Sequence, residues 1–123
     1  MSKAVLAYIN NQLTNAGIPY EFIEWKSKAV DTYFVGEYIE SPPSEEDGLM
    51  ESTFILSGFT VKSWLDLEEI REQIEKLFTC NTCILDNGSG VDVAYAGCQV
   101  IPTGNATLKR IQINLSIKEW RVI

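Results

Sequence analysis

The chain contains no histidine. That absence removes the usual general base at neutral pH, the commonest metal ligand and every triad built on imidazole. Any catalysis would rest on carboxylates, Lys, Tyr or Cys alone, and no catalytic set is expected. Cysteine is scarce too: Cys80, Cys83 and Cys98 are the only three, too few for a closed four-ligand zinc site without histidine. No metal or cofactor is therefore expected. Basic residues are outnumbered, 10 Lys and Arg against 17 Asp and Glu, for a net charge of −7. Lys62, Lys109, Arg110, Lys118 and Arg121 are scattered, and such a balance provides no basic footprint for a phosphate backbone. Long apolar runs are missing as well. The opening MSKAVLAYINNQLTNAG has no unbroken apolar stretch of the signal-peptide or anchor kind, and no other segment is long enough to span a bilayer. The chain is expected to remain in the cytoplasm where it is made, without a membrane partner.

What is present fits one domain. At 123 residues with 46% hydrophobic and 22% charged content, folding should bury roughly two-thirds of the unfolded chain's surface. A first helix is expected over Ser2–Ala16, where Leu6, Ile9, Leu13 and Ala16 share one face and Gly17 suits a left-handed cap. Tyr20–Trp25 reads as a strand apolar on both faces, hence central or packed. Tyr33–Glu40 and Glu51–Thr60 read as two further strands of a hairpin. Between them lies SPPSEEDGLM, longer than a tight turn needs. A second helix is expected to open at Asp66, with Glu69 completing a capping box and Leu67, Ile70, Ile74, Leu77 and Phe78 forming its apolar stripe. Glu72 stands four residues before Lys76, a stabilising helical spacing.

Three strands should follow. Thr82–Leu85 leads into an Asn-Gly turn, Val91–Val100 returns with a bulge expected at Gly97, and Leu108–Ile117 alternates strictly. Ile111, Ile113, Leu115 and Ile117 point inward, while Gln112, Asn114, Ser116 and Lys118 point outward. Trp120 and Val122 fall on the outer phase, so either a bulge intervenes or both side chains meet a partner. The expected class is α+β: an antiparallel or mixed sheet with an N-terminal helix, a long-loop hairpin, a central helix and a C-terminal three-stranded meander, the helices packed on one face.

The chemistry-like motifs are few. Cys80-Asn81-Thr82-Cys83 has redox spacing, but it follows a helix C-terminus, where the dipole does not activate a thiol. A small cytoplasmic enzyme or redox regulator using Cys80 and Cys83 is the alternative reading of this chain. Glu45, Glu46, Asp47 and Glu51 lack the spacing of a calcium loop. Glu37 and Glu40 could do acid–base work only if a cleft brought them together. Trp25, Trp64 and Trp120 are expected in the core. The loop instead suits partner contact, with Glu45, Glu46 and Asp47 solvated and Leu49 and Met50 as apolar contacts. Candidate interface residues are therefore Glu45, Glu46, Asp47, Leu49, Met50, Trp120 and Val122, with the sheet edge at Tyr33–Glu40 as a second face.

Whole segments carry a family resemblance: YFVGEY, then EDGLMESTFILSGFT with SWLDLEE, then ILDNGSG, then LKRIQINLSIKEW. From about Tyr33 onward the chain resembles small proteins of prophage structural-gene clusters in Gram-positive bacteria, of the tail-completion or tail-terminator class of long-tailed bacteriophages. The resemblance implies a non-enzymatic α+β protein that assembles with itself into a hexameric ring. Such a ring caps the tail tube and joins it to the head-completion proteins. It also implies a place in the virion, reached from the host cytoplasm, with DNA passing through without specific binding.

Overall fold

The computed structural model describes residues 1–28, 30–40, 49–79 and 81–120. Helix α1 spans Lys3–Asn15 and is capped by Ser2, whose Oγ accepts from the Val5 amide at 3.3 Å. Its buried face is Val5, Ile9 and Leu13, with Leu6 packed at the flank. Ala16, expected on that face, is exposed because it is already the C-cap. The helix stops as expected at Gly17, which takes a φ of 78°. The Gly17 amide donates to the Thr14 carbonyl and the Ile18 amide to the Leu13 carbonyl, both at 3.0 Å, and buried Ile18 seals the turn.

Strand β1 is short, Tyr20–Phe22, and pairs in parallel with β2 (Thr32–Glu40). The expected strand over Tyr20–Trp25 is thus corrected twice: it is three residues long and lies at the sheet edge. Ile23 ends it with a φ of 70°, a conformation that a β-branched side chain rarely takes. Strand β3, Leu49–Thr60, pairs antiparallel with β2 from Thr32↔Thr60 to Glu40↔Ser52.

Helix α2, Trp64–Leu77, begins two residues before the expected Asp66, which sits in its first turn; Ser63 is the N-cap. Leu67, Ile74 and Phe78 are buried and Ile70 and Leu77 pack beside them, as the stripe predicts. Its ion pairs centre on Arg71, which reaches Glu68 at 2.8 Å and Glu75 at 2.7 Å. Sequence spacing points instead to Glu72 and Lys76. Strands β4 (Asn81–Ile84), β5 (Gly90–Ile101) and β6 (Lys109–Trp120) complete the C-terminal meander. The bulge falls where expected, between Tyr95 and Cys98, and Gly97 there has a φ of 121° that no other residue adopts without strain.

Among the described residues, six strands form one curled mixed sheet in the order β1-β2-β3-β6-β5-β4, with both helices on one face. The fold is α+β. Under the helices lie Phe34, Phe54, Leu56, Val91, Val93, Ile111, Ile113, Leu115 and Ile117, all buried. The opposite face of the sheet carries no helix among the described residues. No helix among them is long and apolar enough to cross a membrane.

Candidate functional site

The helix-free face is not uniformly polar. Side chains directly opposite one another on neighbouring strands point to the same face. Tyr33 on β2 pairs with Phe59 on β3, and Phe59 pairs with Arg110 on β6. One rung across three strands therefore presents two rings and a guanidinium to solvent. Tyr33 and Phe59 stack with centroids 5.1 Å apart and planes 20° apart. Trp25, from the segment after β1, continues the row, its ring 5.2 Å from Tyr33. Arg110 closes the other end, with Cζ 5.4 Å from the centre of the Phe59 ring, within the range of cation–π attraction.

These residues line a concave hollow of about 440 Å³. Ile23 and Val35 add apolar wall, and Ser57 and Glu37 also line it. Ser57 is only 8% exposed although it is on the open face, with the Arg110 side chain against it. Arg110 Nη2 donates to Ser57 Oγ at 3.2 Å. Arg110 Nε is buried and has no hydrogen-bond partner among the described residues. The Trp25 indole donates to the Lys28 carbonyl at 3.2 Å, which fixes its ring. The Ile23 amide donates to the Gly36 carbonyl at 2.8 Å, so the strained residue is anchored to β2 as it turns into the hollow. Strain of this kind, of order 1–3 kcal/mol, tends to collect at binding sites.

The structure redistributes the residues expected at an interface. Leu49 and Met50 are not in a projecting loop: they open β3, are half-buried, and pair with Trp120 and Glu119 of β6. The β6 alternation continues without a bulge, Glu119 taking the buried position, so Trp120 lies on the open face at 41% exposure. Glu45, Glu46, Asp47 and Val122 lie outside the described residues. The tryptophans do not form a core. Trp64 is 40% exposed at the start of α2, and Trp25 stands half-buried in the ladder. The Tyr33–Glu40 edge is partly covered, since β1 pairs only with Phe34, Val35 and Gly36 and leaves Glu37–Glu40 beyond it.

A second groove separates α1 from β4, lined by Ala4, Ala7, Tyr8, Asn11, Cys83 and Ile84 among others. Tyr8 donates its phenol proton to Asn81 Oδ1, and Asn81 Nδ2 donates to the Leu77 carbonyl at 3.1 Å. Burial first and the neighbouring Cys83 second push the Tyr8 phenol up to about 12. Cys80 lies outside the described residues, Cys83 is half-buried, and burial raises the pKa of the Cys98 thiol. A raised pKa is the reverse of what a reactive thiolate needs. Among the described residues no three His, Cys, Asp or Glu side chains are grouped to hold a metal ion. No protein-family model matches the chain, and no curated protein matches it.

Sequence reading missed the ladder. Trp25, Tyr33, Phe59 and Arg110 are distant along the chain and meet only through strand register. Alternation alone gives no such register: setting Phe34 opposite Phe54 would bring Tyr33 against Ile55, whereas in the fold Phe34 faces Gly58 and Tyr33 faces Phe59.

Proposed function

We propose that this chain is a bacteriophage virion structural protein, a subunit of the tail-terminator or head-tail joining ring, acting by assembly and not by catalysis. The segment resemblance supplies the class. The observation that carries it in the fold is a six-stranded sheet whose helix-free face displays an aromatic and cationic ladder. Exposed apolar side chains elsewhere, Ile84 at 80%, Leu65 at 72% and Ile39 at 64%, support the same reading, since a subunit of a ring must offer two different surfaces to its neighbours.

The partners in this reading are further copies of the chain, six to a ring, together with the tail tube and the head-completion proteins. The net charge of −7 suits a wall past which DNA slides without sticking. Localisation follows: the virion, reached from the host cytoplasm during assembly. The test is deletion of the gene from the parent phage, followed by electron microscopy of the lysate. Over-long or unjoined tails beside filled heads are the expected result. Normal virions, or heads that stop before packaging, would overturn the proposal.

A further inference from the structure

We infer that the ladder hollow receives the β4–β5 turn of a second copy of this chain, with Ile84 against its rings and Asp86 on Arg110. The inference deepens the ring reading and rests on it only for the closing of the contact into a ring. Arginine carries five N–H donors in a planar fork. Arg110 is the only cation lining the hollow among the described residues, and its Nε is buried without a hydrogen-bond partner among them. A buried donor left unmade is costly, and the acceptor that suits a planar fork is a carboxylate. Most of the remaining wall is apolar and aromatic. A carboxylate with an exposed apolar side chain close by therefore complements it. Glu37 stands two rungs along the open face from Arg110, since it pairs through Ile55 toward Asn114. The hollow is thus positive at one end only, which sets where the carboxylate goes.

The β4–β5 turn carries that pair. Ile84 is 80% exposed, more than any other large apolar side chain among the described residues. Asp86, two residues on, is exposed as well and makes no ion pair among them. Other exposed apolar side chains sit beside carboxylates already engaged. Asp31, next to Val30, pairs with Lys62 at 3.6 Å, and Glu40, next to Ile39, pairs with the Met1 amine at 2.7 Å. Asp66, next to Leu65, is half-buried in the first turn of α2, where the helix dipole already favours it. The β4–β5 turn is also rigid. The Leu85 amide donates to the Ser89 carbonyl at 2.8 Å, the Gly88 amide to the Leu85 carbonyl at 2.9 Å and the Ser89 amide to Asn87 Oδ1 at 3.0 Å. A preorganised tip loses little entropy on docking.

One copy cannot place this turn in its own hollow. β4 is the far edge of the sheet, two strands beyond β6. The turn leaves the sheet at the Gly90↔Trp120 pair, ten residues along β6 from Arg110. At about 3.3 Å per residue that is roughly 33 Å, and strand pairing fixes both ends. The contact joins opposite corners of two sheets, a head-to-tail arrangement that generates rings or filaments.

The test is self-association of the full chain, followed by sedimentation and by the NMR signals of the Arg110 Nε–H and the Trp25 indole N–H. Association tighter than roughly 1 mM is expected, with both signals moving as concentration rises. Asp86→Asn and Ile84→Ser, both at exposed positions, should leave the fold intact and each weaken association at least about ten-fold. Mixing fixes the direction of the contact. A labelled chain carrying both substitutions keeps its hollow, so the unlabelled, unaltered chain should move its Arg110 and Trp25 signals. The unlabelled doubly substituted chain should not. Arg110→Lys should also weaken association, because the charge remains but the fork is lost. The mixing arm leaves the hollow unaltered, so it decides the matter even if Arg110→Lys unfolds. No association, association unchanged by both substitutions, or shifts confined to other residues would overturn the contact. A measured contact with normal virions from the gene deletion would leave the contact standing and remove the phage role; over-long tails without the contact would do the opposite.

Discussion

The ring of Phe34 lies across Gly58, the residue directly opposite it on β3. A Cβ at Gly58 would overlap one ring carbon of Phe34 and stand 2.7 Å from the next. Phe34 is fully buried between sheet and helices, so its ring has no free space into which to move. The Phe54 ring uses the bare backbone of Gly36 in the same way, 2.5 Å from where a Cβ would stand. Two glycines on adjacent strands thus make room for two phenylalanines, and the sheet curls over them.

Gly58→Ala should therefore destabilise the protein by about 1–3 kcal/mol through overpacking. The change should shrink when Phe34→Leu is introduced alongside it, because the smaller side chain vacates the clash. Urea denaturation of the two single variants and the double variant measures the coupling. Additive effects would mean that the ring and the glycine do not share the space.

Ile113 lies at the middle of β6, fully buried and flanked by Leu56 on β3 and Cys98 on β5. Ile113→Asp should cost about 3–5 kcal/mol, since an unpaired carboxylate there can be neither solvated nor neutralised by a partner. An unchanged melting temperature would show that the inward face of β6 is wrongly assigned.

β6 was legible in the sequence because one buried and one wet face force an alternation of two, which nothing else produces. The same rule set Trp120 on the outer phase, where it lies. The α2 stripe was legible for the same kind of reason, and Gly97 marked the bulge in β5. The failures have a common physical cause: they depend on contacts that the sequence does not list in order. Tyr20–Trp25 alternates like a strand, but the Ile23 backbone turns into the left-handed region and breaks it. Leu49 and Met50 follow a polar stretch and look like loop, yet β6 runs far enough to pair both. The ladder needs β2, β3 and β6 in register before its four members meet.

Stability should fall on the alkaline side. Burial raises the phenol pKa of both Tyr8 and Tyr20 above the ordinary 10.0, Tyr8 to about 12. Both remain protonated in the folded chain when the unfolded chain has begun to lose those protons. Folded stability is therefore fully present below pH 10 and declines as pH rises from there through the folded values. Tyr8→Phe should flatten that decline between about pH 10 and 12, and Tyr20→Phe should flatten it from about pH 10 upward. Urea midpoints measured across that range check the sign; a slope unaffected by both substitutions would contradict it.

The last prediction concerns the sheet's far edge. Among the described residues β4 has a neighbour only in β5, and Ile84 at its end is 80% exposed. An edge strand offers unpaired backbone groups to another chain, and a lysine placed there is the usual means of blocking such pairing. In the ring reading, β4 is a contact surface separate from the ladder hollow, as a head-to-tail assembly requires. Ile84→Lys should leave stability within about 0.5 kcal/mol, because the side chain gives up almost no burial. Tail joining by the variant, measured as infectious particles from a complemented knockout, should drop sharply. Normal particle yield with a normally folded variant would remove the β4 edge from the interface and leave the open sheet face as the surface to pursue.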